Sequence, residues 1–148
     1  MKSFFFILPF ILIMPDAHTQ TVYYGAGDNK LHAGYALDGY GRGFQASYDY
    51  GINEFVSVGG GGQYYYKPFP DATPYFIFVR SDFHVSSVLP LPSWCDLYIG
   101  LRVNYFVNRI YGGIGGGMRV RFTDNIGLFF DFAHISGVGL YFSWGGDR

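Results

Sequence analysis

The chain has 148 residues and a formal net charge of −1, so it is short enough for one domain and offers no overall field that would attract nucleic acid. Aromatic residues make up 22% of the chain and charged residues only 14%, which excludes intrinsic disorder because disordered chains are rich in charge and poor in aromatics. With one Glu and three Lys, the chain also lacks the residues that favour helical bundles.

The first nineteen residues have the layout of a secretory signal peptide. Lys2 supplies a basic start, residues 3–14 form an apolar run, and polar residues follow from Pro15. The apolar run is too short for a transmembrane helix, which needs about 20 residues. We therefore predict a cleaved signal peptide over residues 1–19 and an exported domain over residues 20–148.

Beyond the signal peptide, apolar and polar residues alternate in segments of strand length. A period of two places successive side chains on opposite faces of a strand. The alternation is clear at residues 44–50, 77–85, 96–105, 118–122, 127–132 and 138–144, and weaker near 29–37 and 55–66. Eight strands at this spacing predict an all-β barrel or sandwich.

The breaks between these segments contain residues typical of turns. They fall at residues 39–41, 51–53, 67–71, 89–92, 108–112, 123–125 and 136–137. The break at 67–71 is expected to form the longest loop. The break at 89–92 contains two prolines, which cannot donate to a strand ladder, so it is not a central strand.

One face of the predicted sheet is apolar and the other carries the charges. In the segment 96–105, for example, Leu97, Ile99 and Leu101 share one face while Arg102 lies on the other. The charged face is too poor in charge to solvate a whole exterior, and the surplus of large apolar residues is typical of a barrel with lipid outside and polar groups inside. A closed barrel also pairs every backbone group within a bilayer. We therefore predict an eight-stranded antiparallel up-and-down transmembrane β-barrel.

The interior of an eight-stranded barrel is just wide enough for side chains, so inward charges must pair with one another. We predict a polar network in this lumen, formed by Arg80, Asp82, His84, Arg102, Arg119, Arg121 and Asp131. A proton or ion path through the same residues is the alternative interpretation. The glycine runs at 59–62 and 113–117 are expected to make room for Tyr and Arg side chains from opposite strands.

Aromatic residues cluster near the predicted strand ends, where membrane barrels carry interfacial girdles. The candidates for such girdles are Tyr64, Tyr65, Tyr66, Trp94, Tyr105 and Trp144.

Several segments resemble known barrels. Arg119–Leu128 (RVRFTDNIGL) and Gly137–Trp144 (GVGLYFSW) resemble the end of small bacterial outer-membrane β-barrel proteins. Asp28–Ala33, Tyr48–Val58 and Arg80–Leu89 resemble an uncharacterised family of short barrel proteins of the Bacteroidota. The resemblance implies the outer membrane of a Gram-negative cell as the location, and it implies no activity.

The predicted partners follow from this location. They are outer-membrane lipid, lipopolysaccharide and the barrel-assembly machinery, and we expect a monomer. Barrels of this class often end on an aromatic residue that the assembly machinery reads, whereas here four residues follow Trp144.

One pattern in the sequence is typical of a catalytic pair, namely His134-Ile135-Ser136. Lipid A deacylases on small outer-membrane barrels use a His-x-Ser pair, with a carboxylate that orients the His so that it can activate the Ser. The only Glu, Glu54, is predicted at the opposite membrane face. We therefore expect no enzyme activity, and a lipid A-modifying enzyme is the alternative.

No pattern indicates a cofactor. His32 and His84 fall on inward faces, but no short His-x-His or Cys-x-x-Cys spacing supports a metal site, and hydrogen-bonded His–Asp pairs are expected instead. No basic stripe suggests nucleic acid. The prediction is a barrel with a structural or surface-interaction role. A soluble, lipocalin-like exported barrel that binds an apolar ligand is a further alternative, and it requires the apolar face to point inward.

Overall fold

The described part of the chain forms eight β-strands. The computed structural model describes residues 22–37, 41–70, 73–106, 109–133 and 136–146, so the predicted signal peptide lies outside it. The strands are β1 (Asp28–Ala36), β2 (Gly41–Gly51), β3 (Val56–Pro68), β4 (Tyr75–His84), β5 (Cys95–Phe106), β6 (Arg109–Arg121), β7 (Ile126–Phe132) and β8 (Gly137–Gly145). Within these ranges the one helical element is a 3-10 turn at Val85–Ser87, and no helix there is long and apolar enough to cross a membrane.

Each strand pairs antiparallel with the next one along the chain. β1 also pairs with β8, so the sheet closes into an up-and-down barrel. Closure removes the unpaired edges that an open sheet would present. The predicted eight-stranded antiparallel barrel is confirmed.

The two faces of the sheet are those that the alternation predicts. In β4, Phe78, Arg80 and Asp82 are buried, whereas Ile77 and Val79, which alternate with them, are exposed. The side-chain period is two, so a slip of one residue would have exchanged the faces of the whole strand.

The inverted register that a lipocalin-like barrel requires is wrong for this chain. Leu101, at the centre of β5, is 66% exposed, while its neighbour Arg102 is only 2% exposed. The apolar face therefore lies outside and the charges lie inside the barrel.

The connections between strands lie at two ends of the barrel. We call one the terminal end, because residues 22–27 and 145–146 lie there together with the connections 52–55, 85–94 and 122–125. We call the other the loop end. At this end β1, β3, β5 and β7 end and β2, β4, β6 and β8 begin.

The longest connection is not the predicted one. It runs over residues 85–94 between β4 and β5, whereas β3 continues to Pro68 and leaves only six residues before β4. Val85 was predicted to extend the strand, but it begins the 3-10 turn instead. Two prolines in the 85–94 segment, Pro90 and Pro92, lack the N–H that strand pairing needs, which accounts for its length.

The predicted break at 108–112 is also largely wrong, because β6 begins at Arg109. Gly112 is a strand residue and pairs with Val103 of β5. Pairing uses only backbone groups, so glycines that resemble a turn in the sequence continue the ladder where a long partner strand lies beside them.

Four predicted girdle aromatics lie on the outside of the barrel and one lies inside. Tyr64, Tyr66 and Tyr105 are exposed near the loop end, and Trp144 is exposed near the terminal end. Tyr65 is 1% exposed because it alternates with its two neighbours and points into the interior. The sixth, Trp94, is half-buried in the connection before β5.

Inward glycines make room for side chains of the neighbouring strand, rather than of the opposite strands as predicted. A Cβ at Gly117 would lie 2.2 Å from the hydroxyl oxygen of Tyr98, its partner residue on β5. A Cβ at Gly115 would lie 3.1 Å from Cγ and Nε of Arg102. Other glycines of the same runs, such as Gly62, face outward.

We expect Gly117→Ala to lower the free energy of unfolding by about 1–3 kcal/mol, because its methyl group would overlap the Tyr98 hydroxyl. Gly112→Ala is the matched control on the same strand. It faces open space, with no atom nearer than 3.9 Å, so we expect a change within about 0.5 kcal/mol. Denaturant unfolding of the folded barrel measures both. Equal effects would contradict the tight packing of Tyr98.

Candidate functional site

The middle of the barrel holds a cluster of charged side chains that are almost fully buried. Six of the seven residues predicted for the lumen network lie there, each at most 4% exposed: Arg80, Asp82, His84, Arg102, Arg119 and Asp131. Asp28, Lys30, Asp49 and Asp96 are buried with them. These ten described residues are five carboxylates, three arginines, one lysine and one histidine, and we call them the buried charge network.

Asp49 of β2 joins two arginines from different strands. Arg80 of β4 donates to it twice, from Nε at 2.8 Å and from Nη2 at 2.6 Å. Arg119 of β6 donates from Nη2 at 2.5 Å. A guanidinium that binds a carboxylate with two parallel hydrogen bonds is both strong and orientationally specific. Asp49 therefore links three strands that are not neighbours, across the interior.

Arg80 also reaches a second carboxylate. Its Nη1 donates to Oδ2 of Asp131 at 3.0 Å, and the hydroxyl of Tyr98 donates to Oδ1 at 2.6 Å. Gln45 donates from Nε2 to the same carboxylate at 2.9 Å, and its Oε1 accepts a hydrogen bond from Nε2 of Gln63. The polar contacts therefore continue from the charges toward the loop end.

Toward the terminal end, the network continues through Asp96. His84 Nδ1 lies 2.8 Å from Oδ2 of Asp96, and Ser86 donates to Oδ1 at 2.6 Å. The other ring nitrogen of His84 lies 2.9 Å from the hydroxyl of Ser57. Arg119 Nη1 lies 3.6 Å from Asp96, which connects this group to Asp49. The expected His–Asp pair is thus formed by His84.

The second inward histidine has a different arrangement. Arg119 Nε donates to Nε2 of His32 at 3.2 Å, so that nitrogen is an acceptor and the ring proton lies on Nδ1. Nδ1 lies 3.7 Å from Oδ2 of Asp49. His32 is therefore packed against the buried ions.

The remaining charges form two direct pairs. Arg102 Nη1 donates to Oδ1 of Asp82, and Arg80 Nε lies 3.6 Å from the other oxygen of that carboxylate. Lys30 Nζ donates to Asp28, two residues earlier on the same face of β1.

Arg121 was predicted for the network but lies apart from it. It is half-buried near the terminal end, and its Nη1 donates to the hydroxyl of Tyr24 at 3.0 Å. β6 ends at this residue, so its side chain reaches the mouth of the barrel instead of its centre.

Aromatic and apolar groups close the interior at both ends. The cluster at the loop end consists of Ala36, Tyr65, Phe76, Phe78 and Phe106. The cluster toward the terminal end consists of Val22, Phe129 and Tyr141. The charges between them are therefore shielded from solvent on both sides.

The segment before β1 completes the seal at the terminal end. The ring of Tyr23 stacks on His84 with a centroid distance of 3.5 Å, and its hydroxyl lies 2.7 Å from the backbone oxygens of Asn53 and Val56. Burial, with a smaller effect of nearby Asp28, raises the pKa of Tyr23 above its usual value, so the hydroxyl stays a hydrogen-bond donor.

The candidate catalytic pair is only partly described. His134 lies outside the described residues. Ser136 lies at the loop end, with its hydroxyl 3.5 Å from the carbonyl oxygen of Ala133. Glu54 lies in the connection between β2 and β3 at the terminal end, which confirms that it is remote from Ser136.

Metal ligation has no support within the described ranges, where no three His, Cys, Asp or Glu side chains are grouped to hold an ion. The carboxylates near His32 and His84 are instead occupied by arginine, serine and histidine partners.

The sequence interpretation missed four members of the network. Asp49 and Asp96 have inward positions in the alternating segments 44–50 and 96–105, but the predicted network does not include them. Asp28 and Lys30 lie in the first strand, whose alternation is weak. The signal that could have found them is the requirement that buried arginines be neutralised, since Asp82 and Asp131 alone are too few for three of them.

No protein-family model matches this chain, and a search of curated proteins finds no match. The resemblance of segments such as RVRFTDNIGL to small outer-membrane barrels therefore stays a prediction.

We expect Arg102→Met to lower the free energy of unfolding by about 3 kcal/mol, because Asp82 would be left buried with only the more distant Arg80 as a counter-charge. Adding Asp82→Leu should recover much of that loss, since removing both ions is less costly than stranding one. Denaturant unfolding in detergent measures both variants.

The control for this experiment is Arg42→Met, at an exposed position on β2, with an expected change within about 0.5 kcal/mol. Equal losses in the Arg42 and Arg102 variants would show that Arg102 is accessible to water.

Proposed function

We propose that the chain is a monomeric outer-membrane β-barrel protein with a structural or surface-interaction role, a filled polar interior and no catalysis. The observation that supports this best is the chemistry of its outer face. Among the described strand residues that point outward, charge occurs only at Arg42 and Lys67, both near the loop end. Elsewhere the outer face forms an apolar band, which includes Leu31, Val58, Ile77, Val79, Ile99, Leu101, Ile114 and Leu140.

Such a band is unfavourable in water and favourable in lipid. Soluble monomers rarely expose one continuous apolar surface of this extent, because it drives association. In a bilayer the same surface contacts acyl chains, and closure of the sheet gives each of the eight strands two hydrogen-bonded neighbours. The exposed aromatics at the two ends, such as Tyr64, Tyr105 and Trp144, suit the membrane–water interfaces.

The proposed orientation places the terminal end in the periplasm. An even number of strands brings residues 22–27 and 145–146 to one side, and an exported chain inserts from the periplasmic side with the help of the barrel-assembly machinery. At the loop end at most six residues separate one strand from the next, so the chain has no long loop there. This favours a role within the membrane over adhesion through long loops.

The sealed interior supports the absence of transport. The buried charge network is paired internally and closed by the clusters around Tyr65 and Phe129. No described contact favours the enzyme alternative, which predicts that Ser136→Ala abolishes a change in lipid A mass.

The experiment that tests the proposal is the gel mobility of the detergent-folded protein, unheated and boiled. We expect a heat-dependent shift, because a closed barrel held by its ladder and buried ions resists the detergent until it is heated. Circular dichroism should show β-structure only in detergent or lipid. A chain that folds without detergent and shows no shift would contradict the membrane assignment.

A substitution pair tests whether lipid surrounds the barrel. We expect Leu101→Arg, at the middle of β5, to destabilise the barrel in lipid vesicles by about 2–4 kcal/mol, and Tyr105→Arg, near the end of the same strand, by about 0–1 kcal/mol. Both residues are exposed on the outer face, so a water-surrounded barrel would tolerate the two changes equally. Unfolding free energies in vesicles separate these outcomes.

A further inference from the structure

The outer surface near the loop end has a shallow groove across β2, β3 and β4. Its volume is about 310 Å³. Ala46 and Gly62, which are partner residues on β2 and β3, form its floor. Phe44, Tyr64 and Tyr75 form its wall toward the loop end, and each is more than half exposed.

The groove results from two adjacent rows of residues. Phe44 pairs with Tyr64, and Tyr64 pairs with Tyr75, so three aromatic rings stand side by side across three strands. Two residues further toward the membrane centre, the floor of Ala46 and Gly62 carries only one methyl group. The change from large aromatic rings to almost bare backbone leaves an apolar groove that opens toward the membrane.

The two outward-facing charges lie directly beyond this groove. Arg42 and Lys67 are partner residues at the loop ends of β2 and β3, and both are exposed. Next to them, the hydroxyl oxygens of Tyr35 and Tyr66 lie 3.4 Å apart, and the ring of Tyr66 is 5.4 Å from that of Phe44. Two cations and two phenol groups therefore lie close together at the rim of the loop end, and we call Arg42 and Lys67 the rim charges.

We propose that the groove and the rim charges form one binding site for a phosphorylated lipid of the leaflet at the loop end. The phosphate binds between Arg42 and Lys67, with Tyr35 and Tyr66 as hydrogen-bond donors, and an acyl chain lies in the groove over Ala46. Ala46 lies four positions along the strand from Arg42, about 13 Å at roughly 3.3 Å per residue, so one lipid spans both parts. The proposal rests on the membrane location proposed above.

Charge complementarity selects this occupant. Arginine and lysine side chains are the usual protein partners of phosphate. A second copy of the chain would bring no carboxylate to the contact, because none of the described outward-facing strand residues is acidic. An uncharged lipid would bring no counter-ion to Arg42 and Lys67.

Native mass spectrometry of the detergent-folded barrel tests the site. The probes are diphosphoryl lipid A and the same lipid after enzymatic dephosphorylation. We expect the protein to retain one diphosphoryl lipid with higher affinity than the dephosphorylated one. The variant Arg42→Gln/Lys67→Gln should lose affinity by about 25-fold, since each of the two basic residues near an anionic lipid surface contributes a factor of about five.

Two further variants make the test specific. Arg109→Gln removes another exposed cation of the loop end, three strands away from Lys67, and should leave lipid binding unchanged. Ala46→Leu keeps both charges but fills the floor of the groove, so it should weaken binding of the phosphorylated lipid.

Several results would overturn the site. They are equal affinity for the two lipids, unchanged binding by the Arg42/Lys67 variant, or an equal loss of binding in Arg109→Gln. A lipid-free dimer that Ala46→Leu disrupts would also overturn it, because it would assign the groove to a second copy of the chain. The heat-dependent gel shift is measured first on every variant. Its absence in the parent protein would contradict the membrane barrel itself, whereas a shift without lipid selectivity would contradict only this site.

Discussion

The pairing of Asp49 with two arginines is the interaction on which the interior of this barrel depends. One carboxylate from β2 accepts hydrogen bonds from Arg80 of β4 and Arg119 of β6. Breaking a buried ion pair by removing one partner typically costs about 3–5 kcal/mol, so Asp49 binds three strands into one arrangement. Through Arg80 the same constraint extends to Asp131, and through Arg119 it extends to Asp96.

Space imposes the second constraint. Eight strands enclose room only for side chains, so each large inward group needs a small neighbour. Gly117 beside Tyr98 and Gly115 beside Arg102 supply that room. The abundance of glycine and the burial of arginine are therefore two consequences of one narrow lumen, and the cost of glycine in a strand is offset by the ion pairs that it permits.

Because the interior is closed and its charges are paired with one another, the function of the barrel is to be sought on its outer surface. The lumen is shielded by Tyr65 and its neighbours at one end and by Val22 and Tyr23 at the other. What distinguishes the outer face is a single pair of cations, Arg42 and Lys67, above an aromatic-walled groove. This asymmetry of the outer face is the basis of the proposed site for a phosphorylated lipid.

The sequence by itself determined the number of strands and the direction of nearly every side chain, because a period of two is a local property of extended backbone. The prediction from sequence failed where pairing with another segment decides the structure. The break predicted at 108–112 is strand because β5 pairs with it. Which charges meet was decided only by the tertiary structure. Arg119 lies 70 residues from Asp49 along the chain, and only closure and stagger of the barrel bring them together. The same holds for Arg42 and Lys67, which become neighbours through the register of β2 on β3.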